Sequence, residues 1–157
     1  MVKLFGPALA TFPAIAVLVL VVGCESHGLG PAAISRDGSD LLVVVCEDFD
    51  VNSIYGEIET VKAGHDWTPF LDLSGEATLR SGVVSGPDSF PGGLVGTWGS
   101  LDFDTLEAVN VLFEGADTSD SFQATFYGRG FLEVPAGKWL QTNGLVTSVP
   151  CSENSTD

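Results

Sequence analysis

The ten residues 105–114 read TLEAVNVLFE, and they alternate between two sets of side chains. In an extended chain successive side chains point to opposite faces of the sheet, so a period of two separates the residues into two faces. One face carries Leu106, Ala108, Asn110 and Leu112, and the other carries Glu107, Val109, Val111 and Phe113. This alternation is typical of a β-strand, since an amphipathic helix needs apolar residues three and four positions apart.

The same pattern recurs along the chain after residue 31. Residues 53–62 and 121–127 alternate, and the candidate strands 32–35 and 41–46 flank the hairpin signal Asp37-Gly38. Weaker candidate strands occupy residues 68–73, 77–84, 131–134, 138–141 and 145–149. No window has the spacing of an amphipathic helix. We therefore predict an all-β domain: an immunoglobulin-like antiparallel β-sandwich of about seven to nine short strands, with a small β-barrel as the alternative.

Three stretches depart from simple alternation. Residues 41–45 read LLVVV, which favours a central strand whose two faces are both covered. Ser74-Gly75 separates the candidate strands 68–73 and 77–84. Residues 85–100 are rich in glycine and proline, which predicts an irregular loop.

Composition excludes several classes of protein. The 157 residues fit one domain, and 45% apolar against 17% charged residues excludes a disordered chain. Six Lys and Arg residues oppose 21 Asp and Glu residues, for a formal net charge of −15. Nucleic acids and anionic lipid surfaces are bound through basic residues, so we expect neither as an electrostatic partner.

The N-terminus carries an export signal. Lys3 is the only charged residue before Glu25, and an apolar run covers residues 4–22. The run ends in Val21-Val22-Gly23-Cys24, which resembles the lipobox of bacterial lipoproteins. An ordinary cleaved signal peptide and an uncleaved membrane helix are the alternatives, although Pro7 and Pro13 interrupt the run.

The resemblance to lipoproteins implies a particular domain organisation. Residues 1–23 would be a cleaved signal peptide, and Cys24 would be lipidated and would anchor the chain to the outer face of the cell membrane. Residues 24–30 would form a short tether, of which residues 25–30 extend at most about 20 Å. One β-rich domain, residues 31–151, should therefore lie close to the membrane as a monomer, followed by a frayed polar tail at 152–157.

The remaining two cysteines form an even number in an exported chain. Cys46 ends an apolar run, and Cys151 lies near the end of the chain. We predict a disulfide between them, which would tie the last strand to an early one.

Several short motifs of the globular part add a second resemblance. They are Arg36-Asp37-Gly38 leading into residues 41–46, then Glu47-Asp48, and later Gly137-Lys138-Trp139. With them the chain resembles small uncharacterised envelope lipoproteins of high-GC Gram-positive bacteria. That resemblance implies a place in the envelope and no activity.

The stretch Asp48-Phe49-Asp50-Val51-Asn52 is a candidate calcium site. Asp48, Asp50, Asn52 and Glu59 occupy positions one, three, five and twelve of a calcium loop, but Ser53 stands where the sharp turn needs glycine. A looser cation site could use Asp48, Asp50 and Asn52 alone. The alternative is an acidic, solvated turn between two strands, because the alternation through residues 53–62 would carry Glu59 away.

Three aromatic residues near turns are candidate ligand contacts. Phe90 and Trp98 lie among the glycines of residues 85–100, and Trp67 lies before a candidate strand. Aromatic rings on loops suit the apolar faces of sugars, which makes cell-wall glycan a candidate ligand. The alternative is that these rings cover the edge of the core.

Catalytic signatures are absent from the sequence. There is no G-x-S-x-G, H-E-x-x-H, phosphate-binding lysine loop or G-x-G-x-x-G. A hydrolase would have to use His65 as its base, and a solvated turn histidine is the alternative interpretation. We therefore expect a non-enzymatic protein that binds a glycan, calcium or another envelope protein.

Overall fold

A computed structural model describes residues 31–61, 66–117, 120–127 and 134–151. They form nine strands and one short 3-10 turn, Phe103–Thr105. The strands are β1 (Ala32–Asp37), β2 (Asp40–Val45), β3 (Phe49–Thr60), β4 (Trp67–Leu79), β5 (Val95–Trp98), β6 (Leu106–Glu114), β7 (Phe122–Tyr127), β8 (Trp139–Gln141) and β9 (Val146–Thr147). Within these ranges no helix is long and apolar enough to cross a membrane.

The strands make two open antiparallel sheets, which confirms the predicted all-β sandwich architecture. The small sheet has the order β2-β1-β8-β9, and the large sheet has the order β5-β4-β3-β6-β7. Every pairing is antiparallel, and five of the pairs join strands consecutive in the chain. Short turns connect these pairs except for β4 and β5, which are joined by residues 80–94.

The alternation of residues 105–114 is confirmed in the core. Ile54 of β3 lies opposite Phe113 of β6, and Val109 of β6 lies opposite Phe126 of β7. All four side chains are buried, on the face of the large sheet that packs against the small sheet. The small sheet contributes Ile34, Leu41, Val43 and Val45 to the same core cluster.

Strand β2 is buried on both faces as predicted, but it is an edge strand and not a central one. On its outer face Val44 packs with Ala33 and Trp139 in a second cluster, against which Cys151 also packs. Its free edge pairs with the connection that follows β4. Both faces of LLVVV are therefore covered without a second neighbouring strand in the sheet.

Three predicted boundaries are corrected by the structure. β4 is one continuous strand through Ser74-Gly75, where the sequence predicts two strands. β3 begins at Phe49, so residues 49–52 belong to a strand and not to a turn. β5 occupies residues 95–98 of the predicted irregular loop. The candidate strand at 131–134 lies outside the described residues except for Val134.

The predicted disulfide between Cys46 and Cys151 is present, with 5.3 Å between the Cα atoms. It holds the C-terminal segment to the end of β2. Two further hydrogen bonds order this segment: Ser35 Oγ of β1 donates to the Lys138 carbonyl at 2.6 Å, and Gln141 Nε2 of β8 donates to the Pro150 carbonyl at 2.6 Å. Both sheets, the core cluster and the disulfide lie within residues 32–151.

Residues 80–94, here called the crossing segment, connect β4 of the large sheet to β5 by way of the small sheet. Val43 and Ser85 exchange both backbone hydrogen bonds, at 2.9 and 2.8 Å. Gly82 N–H donates to the Val45 carbonyl at 3.0 Å. The segment therefore covers the free edge of β2 and bridges the open side between the two sheets.

Gly93 returns the crossing segment to the large sheet. Its φ is +106°, and a Cβ there would overlap the Glu76 carbonyl oxygen of β4. We expect Gly93→Ala to lower the free energy of unfolding by about 2 to 3 kcal/mol, because it adds this overlap to the cost of a positive φ. Urea denaturation followed by circular dichroism measures the change.

Gly92 provides the matched control for Gly93→Ala. A Cβ at Gly92 meets nothing within 4 Å, and its φ is not in the left-handed region. Gly92→Ala should leave the midpoint unchanged. Equal midpoints for the two variants would contradict the close approach of the crossing segment to β4.

Candidate functional site

An apolar cavity lies between the two sheets, beneath the crossing segment. Its volume is about 360 Å³. Val43 and Val45 of β2 form one wall, and Leu71 and Leu79 of β4 with Phe113 of β6 form the opposite wall. All five side chains are buried. The space is open to solvent on the side of Val83 and Val84, so it is a cleft into the core and not an enclosed void.

The local sequence explains why the space stays open. The two residues that β2 points into it are valines, which are short for the distance between two sheets. The crossing segment meets β2 at its edge through Val43 and Ser85, so it spans the gap without filling it. Small side chains and a bridging connection together leave an apolar chamber.

Val83 and Val84 of the crossing segment form the mouth of the cavity. They line it, yet they are 55% and 39% exposed, so they lie where the cavity meets solvent. Thr78, Ser85 and Ser89 add hydroxyl groups to the lining. The arrangement is an apolar interior with a few polar groups, as is usual for small-molecule sites.

Phe90 and Trp98, two of the three predicted ligand contacts, meet at this cavity. Their rings are stacked with centroids 6.5 Å apart and 18° between the planes, and both line the cavity. Trp98 lies opposite Leu71 across β4 and β5, so both side chains are on the same face of the large sheet. The Trp98 Nε1 atom is buried and has no hydrogen-bond acceptor among the residues that the structure describes. A buried donor of this kind is costly unless a ligand or water satisfies it.

Trp67, the third predicted contact, does not join them. It is the first residue of β4, lies opposite Glu59, is 41% exposed and is not among the residues that line the cavity. The structure thus brings together two of the three aromatic residues. His65 and Cys24 lie outside the described residues, so the hydrolase and lipidation hypotheses have no structural counterpart here.

Asp48 fixes the beginning of the crossing segment. Its carboxylate accepts from the Ser81 backbone N–H at 2.9 Å and from Arg80 Nη1 at 2.6 Å. These donors, the Ser81 N–H first, hold the pKa of Asp48 below its ordinary value because they favour the charged form. Ser81 Oγ also donates to the Cys46 carbonyl at 2.8 Å. The segment is therefore anchored beside the disulfide.

The residues of the calcium hypothesis are placed differently from the predicted turn. Asp50 and Asn52 lie in β3, and Asp50 accepts from Thr78 Oγ1 at 2.6 Å while Asp48 is engaged with Arg80. Asp48 precedes β3, and the pairing of β3 with β4 has a register shift between Val51 and Ser53, next to Asn52. Within the described ranges no group of three or more His, Cys, Asp or Glu side chains is arranged to hold a metal ion. The twelve-residue loop is replaced by a strand, with Glu59 near its far end.

Sequence reasoning missed Val83, Val84 and the two inward valines of β2. The signal that was available is the pair Val83-Val84 inside a stretch of serine, glycine and proline. Two adjacent apolar residues in a polar connection indicate contact with something apolar.

Comparison with known proteins adds no relative: no family model, curated protein or solved structure matches the chain. The cavity is lined in its interior by valine, isoleucine, leucine and phenylalanine, together with Trp98, several hydroxyl groups and one guanidinium.

Proposed function

We propose that the chain is a lipid-anchored protein of the bacterial cell envelope whose β-domain binds an apolar small molecule between its two sheets, without catalysing a reaction. The observation that carries the binding function is the cavity of about 360 Å³ with its apolar walls. This volume lies within the range of about 300 to 1,000 Å³ that small-molecule sites occupy. The lipobox Val21-Val22-Gly23-Cys24 supports the anchor and the place on the outer face of the membrane.

The walls favour a hydrocarbon ligand over a polar one. Val43, Val45, Leu71, Leu79 and Phe113 offer no hydrogen-bonding side chain to a ligand that lies among them. Filling the cavity would restore the dispersion contacts that the lining atoms lack. A polar group of the ligand would find its partners in the hydroxyl groups of the lining.

A glycan is the second candidate ligand, and a separate groove favours it. This more open groove, of about 530 Å³, lies beside β4 and β5 and is lined by Trp98 with Thr68, Asp72, Thr97 and Ser100. An indole next to hydroxyl groups and a carboxylate suits a sugar ring. Asp72→Asn would weaken glycan binding and leave the cavity unaltered.

Titration with the neutral dye N-phenyl-1-naphthylamine tests the proposed function. A neutral probe avoids repulsion by the net charge of −15. We expect saturable, one-to-one fluorescence enhancement with the oxidised domain, residues 25–157. Val84→Asp should weaken binding at least about tenfold, because it places a charge at the mouth of an apolar site.

Val95→Asp is the matched control. Val95 lies on β5, is 69% exposed and does not line the cavity, so the same change of side chain there should leave the dissociation constant unaltered. Equal dissociation constants for the wild-type protein, Val84→Asp and Val95→Asp would contradict binding of the dye in the cavity. Absence of saturable binding would overturn it altogether.

A further inference from the structure

We infer that the ligand is an acyl chain of a phospholipid of the surrounding membrane, and that it enters from the bilayer past Val83 and Val84. This inference rests on the proposed function and names the ligand class and the direction of entry. It is carried by the position of the mouth relative to the point at which the chain enters the domain.

The chain enters the domain beside the cavity. The Pro31 carbonyl accepts from Cys46 N–H at 2.8 Å, and Ala32 lies opposite Val45, which lines the cavity. The six residues between Cys24 and Pro31 span at most about 20 Å. An anchor on Cys24 therefore keeps this end of the sandwich near the membrane surface.

The crossing segment begins at the same end. Ser81 Oγ donates to the Cys46 carbonyl at 2.8 Å, and Gly82 N–H donates to the Val45 carbonyl at 3.0 Å. Val83 and Val84 follow directly and expose apolar surface at the mouth. Two valines facing water next to a membrane anchor are placed where they can leave water for the acyl region.

The charge at the mouth fits a phospholipid. Arg80 lines the cavity, and its guanidinium has five N–H donors, of which the ion pair with Asp48 uses Nη1. Its side chain is 65% exposed, so the remaining donors can reach a phosphate oxygen outside the cavity while an acyl chain lies inside. Apolar walls with the Arg80–Asp48 ion pair at the entrance match a zwitterionic phospholipid, whose tail is hydrocarbon and whose headgroup carries a phosphate and a cation.

Quenching of Trp98 by brominated lipid tests the direction of entry. The full lipidated protein is reconstituted in phosphatidylcholine vesicles, either plain or brominated midway along one acyl chain. Bromine quenches an indole only at contact, and Trp98 lines the cavity. The contribution of Trp98 is the emission lost on Trp98→Phe. We expect brominated vesicles to quench most of the Trp98 emission in the wild-type protein and in Val95→Asp. In Val84→Asp the Trp98 emission should not be quenched in this way.

The two proposals fail in distinguishable ways. If the dye binds in solution while Trp98 emission is the same in plain and brominated vesicles, entry from the membrane is overturned and the binding function stands. If Val84→Asp is quenched as strongly as the wild-type protein, the mouth is assigned wrongly. If the dye does not bind, the proposed function itself fails.

A crosslinking measurement covers the case in which Trp98→Phe does not fold. A photoreactive benzoylphenylalanine at Phe90, which lines the cavity, should give a lipid adduct by mass spectrometry. The same residue at Tyr127, which is 73% exposed at the edge of the large sheet, is the control and should give none. Adducts at both positions, or at neither, would overturn the inference.

Discussion

Removal of the disulfide, as Cys46→Ala with Cys151→Ala, should lower the free energy of unfolding by about 4 to 5 kcal/mol. The bond joins residues 105 positions apart, so its loss frees a long loop in the unfolded chain. Its loss also detaches the C-terminal segment from the end of β2. Guanidinium denaturation of the two proteins, followed by tryptophan fluorescence, measures the difference.

The reduced wild-type protein is the control for the disulfide. The reduced protein keeps both sulfur atoms, which the alanine variant lacks. If the reduced protein and the alanine variant have the same free energy of unfolding, the loss comes from the covalent link and not from packing. A difference below about 1 kcal/mol between the oxidised and reduced proteins would contradict a loop-closing role for this bond.

Phe113→Ala should cost about 3 to 5 kcal/mol of stability. Phe113 is 1% exposed, lies opposite Ile54 and stacks on Phe122 with ring centroids 4.6 Å apart. Removing the ring forfeits its burial and leaves a hole next to the existing cavity, and the surrounding strands cannot collapse to fill it. Thermal and urea unfolding measure the loss.

Phe113→Leu separates the effect of the ring from that of its volume. Leucine keeps most of the apolar volume, so it should cost clearly less than alanine. Because Phe113 lines the cavity, the alanine variant should also accept a bulkier dye than the wild-type protein. Equal stability of the wild-type protein and Phe113→Ala would contradict the described core.

The large sheet was accessible from sequence because its strands have one buried face. Period-two alternation at 105–114 and 121–127 marks the residues that point inward, and the structure buries Val109, Val111 and Phe126 accordingly. The cysteine pair was equally accessible, since an exported chain with two remaining cysteines favours one bond. Both the large sheet and the disulfide can therefore be predicted from short stretches of sequence and from the number of cysteines.

The position of β2 and the cavity depend on long-range contacts, which the sequence pattern does not contain. LLVVV predicts burial on both faces, but the covers are the large sheet on one side and Trp139 on the other, so the strand can lie at an edge. Likewise β5 forms within a glycine-rich stretch because Gly93 and Gly96 allow close approach to β4. The cavity between the sheets depends on how the two sheets are placed relative to each other, which the local sequence pattern does not determine.

The most direct test of apolar binding between the sheets is the methyl NMR spectrum of the β-domain during dye titration. Val43 and Val45 point into the cavity, whereas Val44 between them points to the opposite face, so one strand contains both probe and control. We predict saturable shifts and ligand contacts for the methyl groups of Val43 and Val45, with Val44 unchanged. Apolar binding between the sheets would be contradicted by the absence of any saturable shift. It would also be contradicted by shifts confined to Val44 and the exposed residues Leu145, Val146 and Val149.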